Sequence, residues 1–131
     1  MDDLKFVETV IFEDGEELNE YESEKHVVWR NKKGQLHRKI GPVILYKKGE
    51  YYAWYLNGKK HRIGGPAIRH NVDLTEEWWQ HGKLHRTDGP AKQYFGEKYF
   101  IRGKELSKKE FINNIALKRI KKINGNTRKN K

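Results

Sequence analysis

The chain has no cysteine, only three prolines, and no apolar run near the roughly 20 residues that a membrane-spanning helix requires. Without thiols it makes no disulfide and no thiolate metal centre, a composition suited to a reducing compartment. The acidic start Met1-Asp2-Asp3 is unlike a secretory signal peptide. A cytoplasmic location and no association with membrane are therefore expected. Aliphatic bulk is scarce, yet four Trp, seven Tyr and five Phe supply apolar surface that a disordered chain would lack. A folded but thinly cored domain is expected from 131 residues.

Charge is abundant and segregated. Residues 1–24 carry ten acidic groups against Lys5 alone, giving −9. Residues 25–106 carry +11 and residues 107–131 carry +8, which brings the whole to +10. Such polarity has two readings: the acidic segment lies across the basic body and neutralises it, or the basic surface awaits an anionic partner.

All three prolines sit in one recurring signature. It reads Gly34, His37, Arg38, Gly41, Pro42, then Gly58, His61, Arg62, Gly65, Pro66, then Gly82, His85, Arg86, Gly89, Pro90. Each residue returns after 24 positions without insertion, the mark of a repeat architecture. Asn57-Gly58 is a favoured hairpin pair, Lys33-Gly34 and His81-Gly82 occupy the matching position, and Arg102-Gly103 begins a degenerate fourth unit. Aromatics lead into these turns at Trp29, Trp54, Trp78 with Trp79, and Tyr99. Two strands fit each unit, so a β-meander is expected over residues 25–106, with a bend at each Gly-Pro. Val43, Ala67 and Ala91, and then Tyr46, His70 and Tyr94, should form ladders across the sheet.

The flanks differ. Residues 1–24 form an acidic segment whose LKFVETVIF alternates as a strand, Leu4, Phe6, Val10 and Phe12 facing one way and Val7, Thr9 and Ile11 the other. Glu16 to Glu24 reads as an irregular or short-strand link. Residues 107–124 read as a basic amphipathic helix opened by a Ser107/Glu110 capping box, and residues 125–131 as a disordered basic tail. The helix is expected to cover one end or face of the sheet.

The unit YAWYLNGKKHRIGG, residues 52–65, resembles a MORN repeat, in which an aromatic precedes a turn glycine, a histidine and further glycines at a similar period. Arg38, Arg62 and Arg86 depart from it, standing where glycine usually follows the histidine. LHRTDGPA, residues 84–91, is similar to repeats in uncharacterised proteins of bacteriophages and large DNA viruses. The resemblance spans about residues 29–106. It implies an all-β array that serves as a scaffold or a partner- or lipid-binding surface, not a catalyst. A viral accessory factor acting on a host or defence component, in the host cytoplasm, fits that implication.

Histidines one unit apart on a meander lie about 10 Å from each other, too far to share a zinc ion, so neither metal nor cofactor is expected. Asp88 beside His85 is the one acid inside a signature loop, its counterparts being Ile40 and Gly64, and a lone pair of that kind makes no catalytic centre. The bland reading of His-Arg is contact between units. The sharper one sets cations beside aromatics as a binding surface of Trp54, Trp78, Trp79, His61, Arg62, His85, Arg86 and Asp88. The leading expectation is a non-catalytic protein-binding domain. The alternative is a nucleic-acid binder using the same residues with the tail, and the third is a small hydrolase.

Overall fold

The computed structural model describes residues 3–129, with side chains through Asn124. Among them, ten strands form one antiparallel meander: β1 (Lys5–Ile11), β2 (Glu17–Glu22), β3 (His26–Arg30), β4 (Ile44–Tyr46), β5 (Tyr51–Ala53), β8 (Ile68–His70), β9 (Thr75–Glu77), β12 (Lys92–Gln93), β13 (Glu97–Ile101) and β14 (Lys104–Leu106), in that spatial order. Two short ladders stand beside it, β6 (Tyr55–Leu56) with β7 (Lys59–Lys60), and β10 (Trp79–Gln80) with β11 (Lys83–Leu84). The helix α1 (Lys108–Lys129) closes the chain. The fold is thus a β-meander followed by a helix, as its turn chemistry and periodicity imply.

Each period contributes more than the two strands its length suggests. The strands entering the two middle hairpins are interrupted at Trp54 and Trp78, although their amides still bond the carbonyls of Ala67 and Ala91 at 2.6 and 2.7 Å. Asn57-Gly58, His81-Gly82 and Arg102-Gly103 turn with both residues at positive φ, matching the twist of the flanking strands. Lys33-Gly34 differs. Only Gly34 has positive φ, and the loop is wider, with Asn31 Oδ1 accepting from the amides of Lys33 and Gln35. One extra residue between Trp29 and Gly34 accounts for the wider loop. Successive hairpins join edge to edge, Gly58 N–H to Leu36 O, Gly82 N–H to Lys60 O and Gly103 N–H to Leu84 O, at 2.8 to 2.9 Å.

Small residues make the deepest positions: Val43, Ala53, Ala67 and Ala91 are fully buried, with Leu18, Val28 and Ile68 alongside. The acidic segment joins the sheet as its edge. Glu17–Glu22 is a regular strand paired on both sides, not an irregular link. In β1 a register shift between Phe6 and Glu8 breaks the expected alternation, and Phe6, Val7 and Ile11 are exposed. Glu16 meets His37, Glu17 pairs with Lys32 at 2.7 Å, and Glu22 pairs with Lys47. All three partners belong to the first unit, and Glu17 and Glu22 offset the charge of Lys32 and Lys47 at that end of the body.

The capping box forms: Glu110 N–H bonds Ser107 Oγ, and Ser107 N–H bonds Glu110 Oε1, both at 3.1 Å. Those bonds to Ser107 hold the Glu110 carboxyl below its ordinary range. Phe111 is buried against Tyr99 with rings 4.7 Å apart, and Ile115 is half-buried. Ile112, Leu117 and Ile120 remain more than half exposed, so the helix docks on the last hairpin by its first turns and covers no sheet face. Its backbone continues past Gly125 to Lys129, beyond the stop expected there. Of the expected disordered tail, residues 130 and 131 lie outside the described residues. No described helix is long and apolar enough to cross a membrane.

Candidate interaction surface

The signature builds the same clasp at each of its three occurrences. The guanidinium lies over a tryptophan ring: Arg38 on Trp29 at 4.9 Å, Arg62 on Trp54 at 4.1 Å, Arg86 on Trp78 at 3.8 Å. One nitrogen donates to a proline carbonyl four residues on, Arg38 to Pro42, Arg62 to Pro66 and Arg86 to Pro90, at 3.1 to 3.3 Å. The other flank of the guanidinium rests on glycine. A Cβ at Gly41 or Gly65 would stand 2.7 Å from the arginine Cζ, and at Gly89 2.9 Å, which is why the residue before each proline has no side chain.

The histidines join one unit to the next. His37 Nδ1 accepts from the Asn57 amide at 2.9 Å, His61 Nδ1 from His81 at 3.0 Å, and His85 Nδ1 from Arg102 at 2.9 Å. Each donor is the first residue of the following turn, and each has positive φ. An accepting Nδ1 requires the neutral ring with its proton on Nε2. Burial, then the neighbouring His81, pulls the His61 pKa down, and burial followed by Arg102 and Lys118 does so for His85.

Of the eight residues singled out by sequence, His61 and His85 are thus engaged in joining units, and Trp54, Arg62, Trp78 and Arg86 in the clasps within them. Asp88 is exposed and holds Arg86 Nε at 2.8 Å. The first unit has Ile40 in that place, and Arg38 Nε is buried there without a hydrogen-bond partner among the described residues. Replacing Ile40 by Asp should supply the missing acceptor and raise stability by about 1 kcal/mol, seen as a higher urea midpoint at unchanged slope.

Trp78 and Trp79 both end half-buried, where strict alternation would leave one outside. The break at Trp78 removes the alternation, and each indole N–H finds a carboxylate, Glu76 for Trp78 at 3.0 Å and Glu77 for Trp79 at 2.8 Å. Lys60 sits 4.5 Å above the Trp79 ring. Glu77 also accepts from the Tyr94 hydroxyl.

Glu77 thus ties Tyr94 to Trp79, and an aromatic ladder crosses the strands before them. His26 stacks on Tyr46 at 5.2 Å, Tyr46 meets Tyr51 edge-on at 5.2 Å, and Tyr51 meets His70 at 4.7 Å. The register sets His26 opposite Tyr46, Tyr51 opposite His70 and His70 opposite Thr75, so these side chains share one face. The equivalence of Tyr46, His70 and Tyr94 anticipates the row. His26 and Tyr51, which complete it, lie outside the signature and carry no periodic signal. Burial, with Tyr55, Tyr46 and Glu77 nearby, pushes Tyr51 up to about 12, and burial with the Glu77 bond does the same for Tyr94. Both therefore remain neutral phenols through the physiological range. Among the described residues no three His, Asp or Glu side chains are grouped to hold a metal ion. No protein-family model matches this chain, and neither a curated protein nor a solved structure matches it.

Proposed function

We propose that the protein is a non-catalytic binding domain that engages a protein partner through the aromatic face of its sheet. The observation that carries this reading is the half-buried aromatic row His26, Tyr46, Tyr51 and His70, together with Tyr94 and Trp79, which are joined to each other through Glu77. Tyr and Trp contribute large contact area at little conformational cost and concentrate interface energy. Fully buried Ala53 and its pair Ile68, next to Tyr51 and His70 on the same face, flank the ladder. A viral accessory factor that captures a host or defence component is the setting in which such a domain acts by occupancy alone.

Affinity capture compares the wild-type chain with a Tyr46→Ser, Trp79→Ala variant whose circular dichroism is unchanged. A protein retained by the first and reduced roughly tenfold or more on the second, with nuclease present, is the expected outcome. Equal retention by both chains contradicts the choice of surface. Capture abolished by nuclease instead favours the nucleic-acid alternative.

A further inference from the structure

The first unit carries an internal template for a ligand site in the third. There the Glu16 carboxylate is almost fully buried and bridges His37 Nε2 at 3.2 Å and the Lys39 backbone N–H at 3.0 Å. Since His37 Nδ1 is taken by the Asn57 amide, the ring's own proton points at Glu16. A histidine and the amide two residues beyond it thus make a two-donor cradle for an oxyanion.

The same cradle recurs 48 residues later as His85 and Thr87. His85 Nδ1 is again taken, by the Arg102 amide, which leaves the proton on Nε2. Neither that nitrogen nor the Thr87 amide has a hydrogen-bond partner among the described residues. Both residues line an open cleft of ≈ 660 Å³ between the last two hairpins and α1. Lys83, Arg102 and Lys118 line it too, from three different elements, and no Asp or Glu does. A contiguous recess shares Thr87 and Lys118 and adds Arg119 and Lys122. Burial lowers the His85 pKa most, and the nearby Arg102 and Lys118 lower it further. The middle unit is different, because the cleft beside His61 is walled by the exposed apolar side chains of Ile40 and Ile63.

We infer that this cleft takes a carboxylate from an acidic polypeptide segment, held by His85 Nε2–H and the Thr87 amide as Glu16 is held by His37 and Lys39. Lys83, Arg102 and Lys118 attract the acidic residues on either side of it. The inference rests on the protein-binding reading and adds a second surface, at the basic end of the molecule, with its own ligand chemistry. Glu16 argues for a carboxylate in particular: the fold already seats one in this cradle.

The test uses the full chain and a fluorescent dodecapeptide, EDGEELNEYESE, copied from residues 13–24, read by anisotropy at low salt. An Arg102→Asn, Lys118→Glu variant removes two of the cations while preserving the turn, since asparagine tolerates positive φ. Binding to the wild-type chain, weakened roughly tenfold or more by the variant and left unchanged by Trp79→Ala, is expected. Peptide binding of equal strength to wild type and variant overturns the assignment. So does tighter binding of pyrophosphate or of a single-stranded 12-mer oligonucleotide than of the peptide, which would make the cleft a phosphate site. If the peptide fails while the aromatic-face variant still loses its captured partner, the cleft falls and the protein-binding reading stands.

Discussion

Lowering the pH from about 7.5 to about 5 should reduce the melting temperature by roughly 5–10 °C, with most of the loss below the ordinary histidine pKa. His61 and His85 must be neutral at Nδ1 to accept the amides of His81 and Arg102. Their folded-state pKa values lie below the ordinary 6.5, so the unfolded chain binds protons first as pH falls. The stability they contribute is complete above about 6.5 and is lost as pH drops from there through the lowered folded values. Protonation turns each acceptor into a donor facing another donor, at a cost on the order of 1 kcal/mol per site where water shares the contact. An asparagine places an acceptor oxygen near the Nδ1 position and does not titrate. The His61→Asn, His85→Asn chain should therefore melt at nearly the same temperature at both pH values. A wild-type pH slope that survives in that variant would contradict the assignment of acid sensitivity to these two histidines.

Gly65→Ala should destabilise by about 2 kcal/mol, and nearly all of that effect should vanish when Arg62 is already alanine. The added methyl would lie 2.7 Å from Arg62 Cζ. A guanidinium can swing away from such a contact, but leaving it means losing the Trp54 face at 4.1 Å and the Pro66 carbonyl at 3.2 Å. The two substitutions thus remove the same interactions, by different ends. Arg62→Ala alone should cost about 2–3 kcal/mol, since it strips a charge-assisted bond and packing from a half-buried tryptophan. Arg62→Lys should recover little, because an ammonium cannot lie flat between indole and glycine. Urea denaturation of the four chains of the cycle measures the coupling. Additive losses would mean that the glycine serves the backbone alone.

Much of this architecture is legible in the chain itself, and the illegible parts share a cause. Spacing exposes the repeat, Asn57-Gly58 exposes the hairpin, and the shared offset of Tyr46, His70 and Tyr94 exposes the ladder, because each depends on residues near in sequence or on strict period two. The joint between units depends on contacts across 17 to 20 residues between a histidine ring and a backbone amide, and composition carries no trace of those. Ser107 and Glu110 declare a capping box, but how far the helix packs depends on Phe111 finding Tyr99. Glu16 looks like one acid among ten until the sheet places it against His37. The doubled Trp78 and Trp79 defeat an alternation argument for a local reason, the strand break between them.

The central claim is that the His-Arg-Gly-Pro signature is spent on clasping each unit and joining it to the next, which leaves the aromatic face and the basic cleft for partners. Its most direct measurement is the tautomeric state of His37, His61 and His85 by long-range ¹H–¹⁵N NMR at about pH 7.5. Three neutral rings, each with the proton on Nε2 and a hydrogen-bonded Nδ1, are predicted. Rings that carry the proton on Nδ1, or that exchange freely between tautomers as in an unstructured peptide, would contradict it.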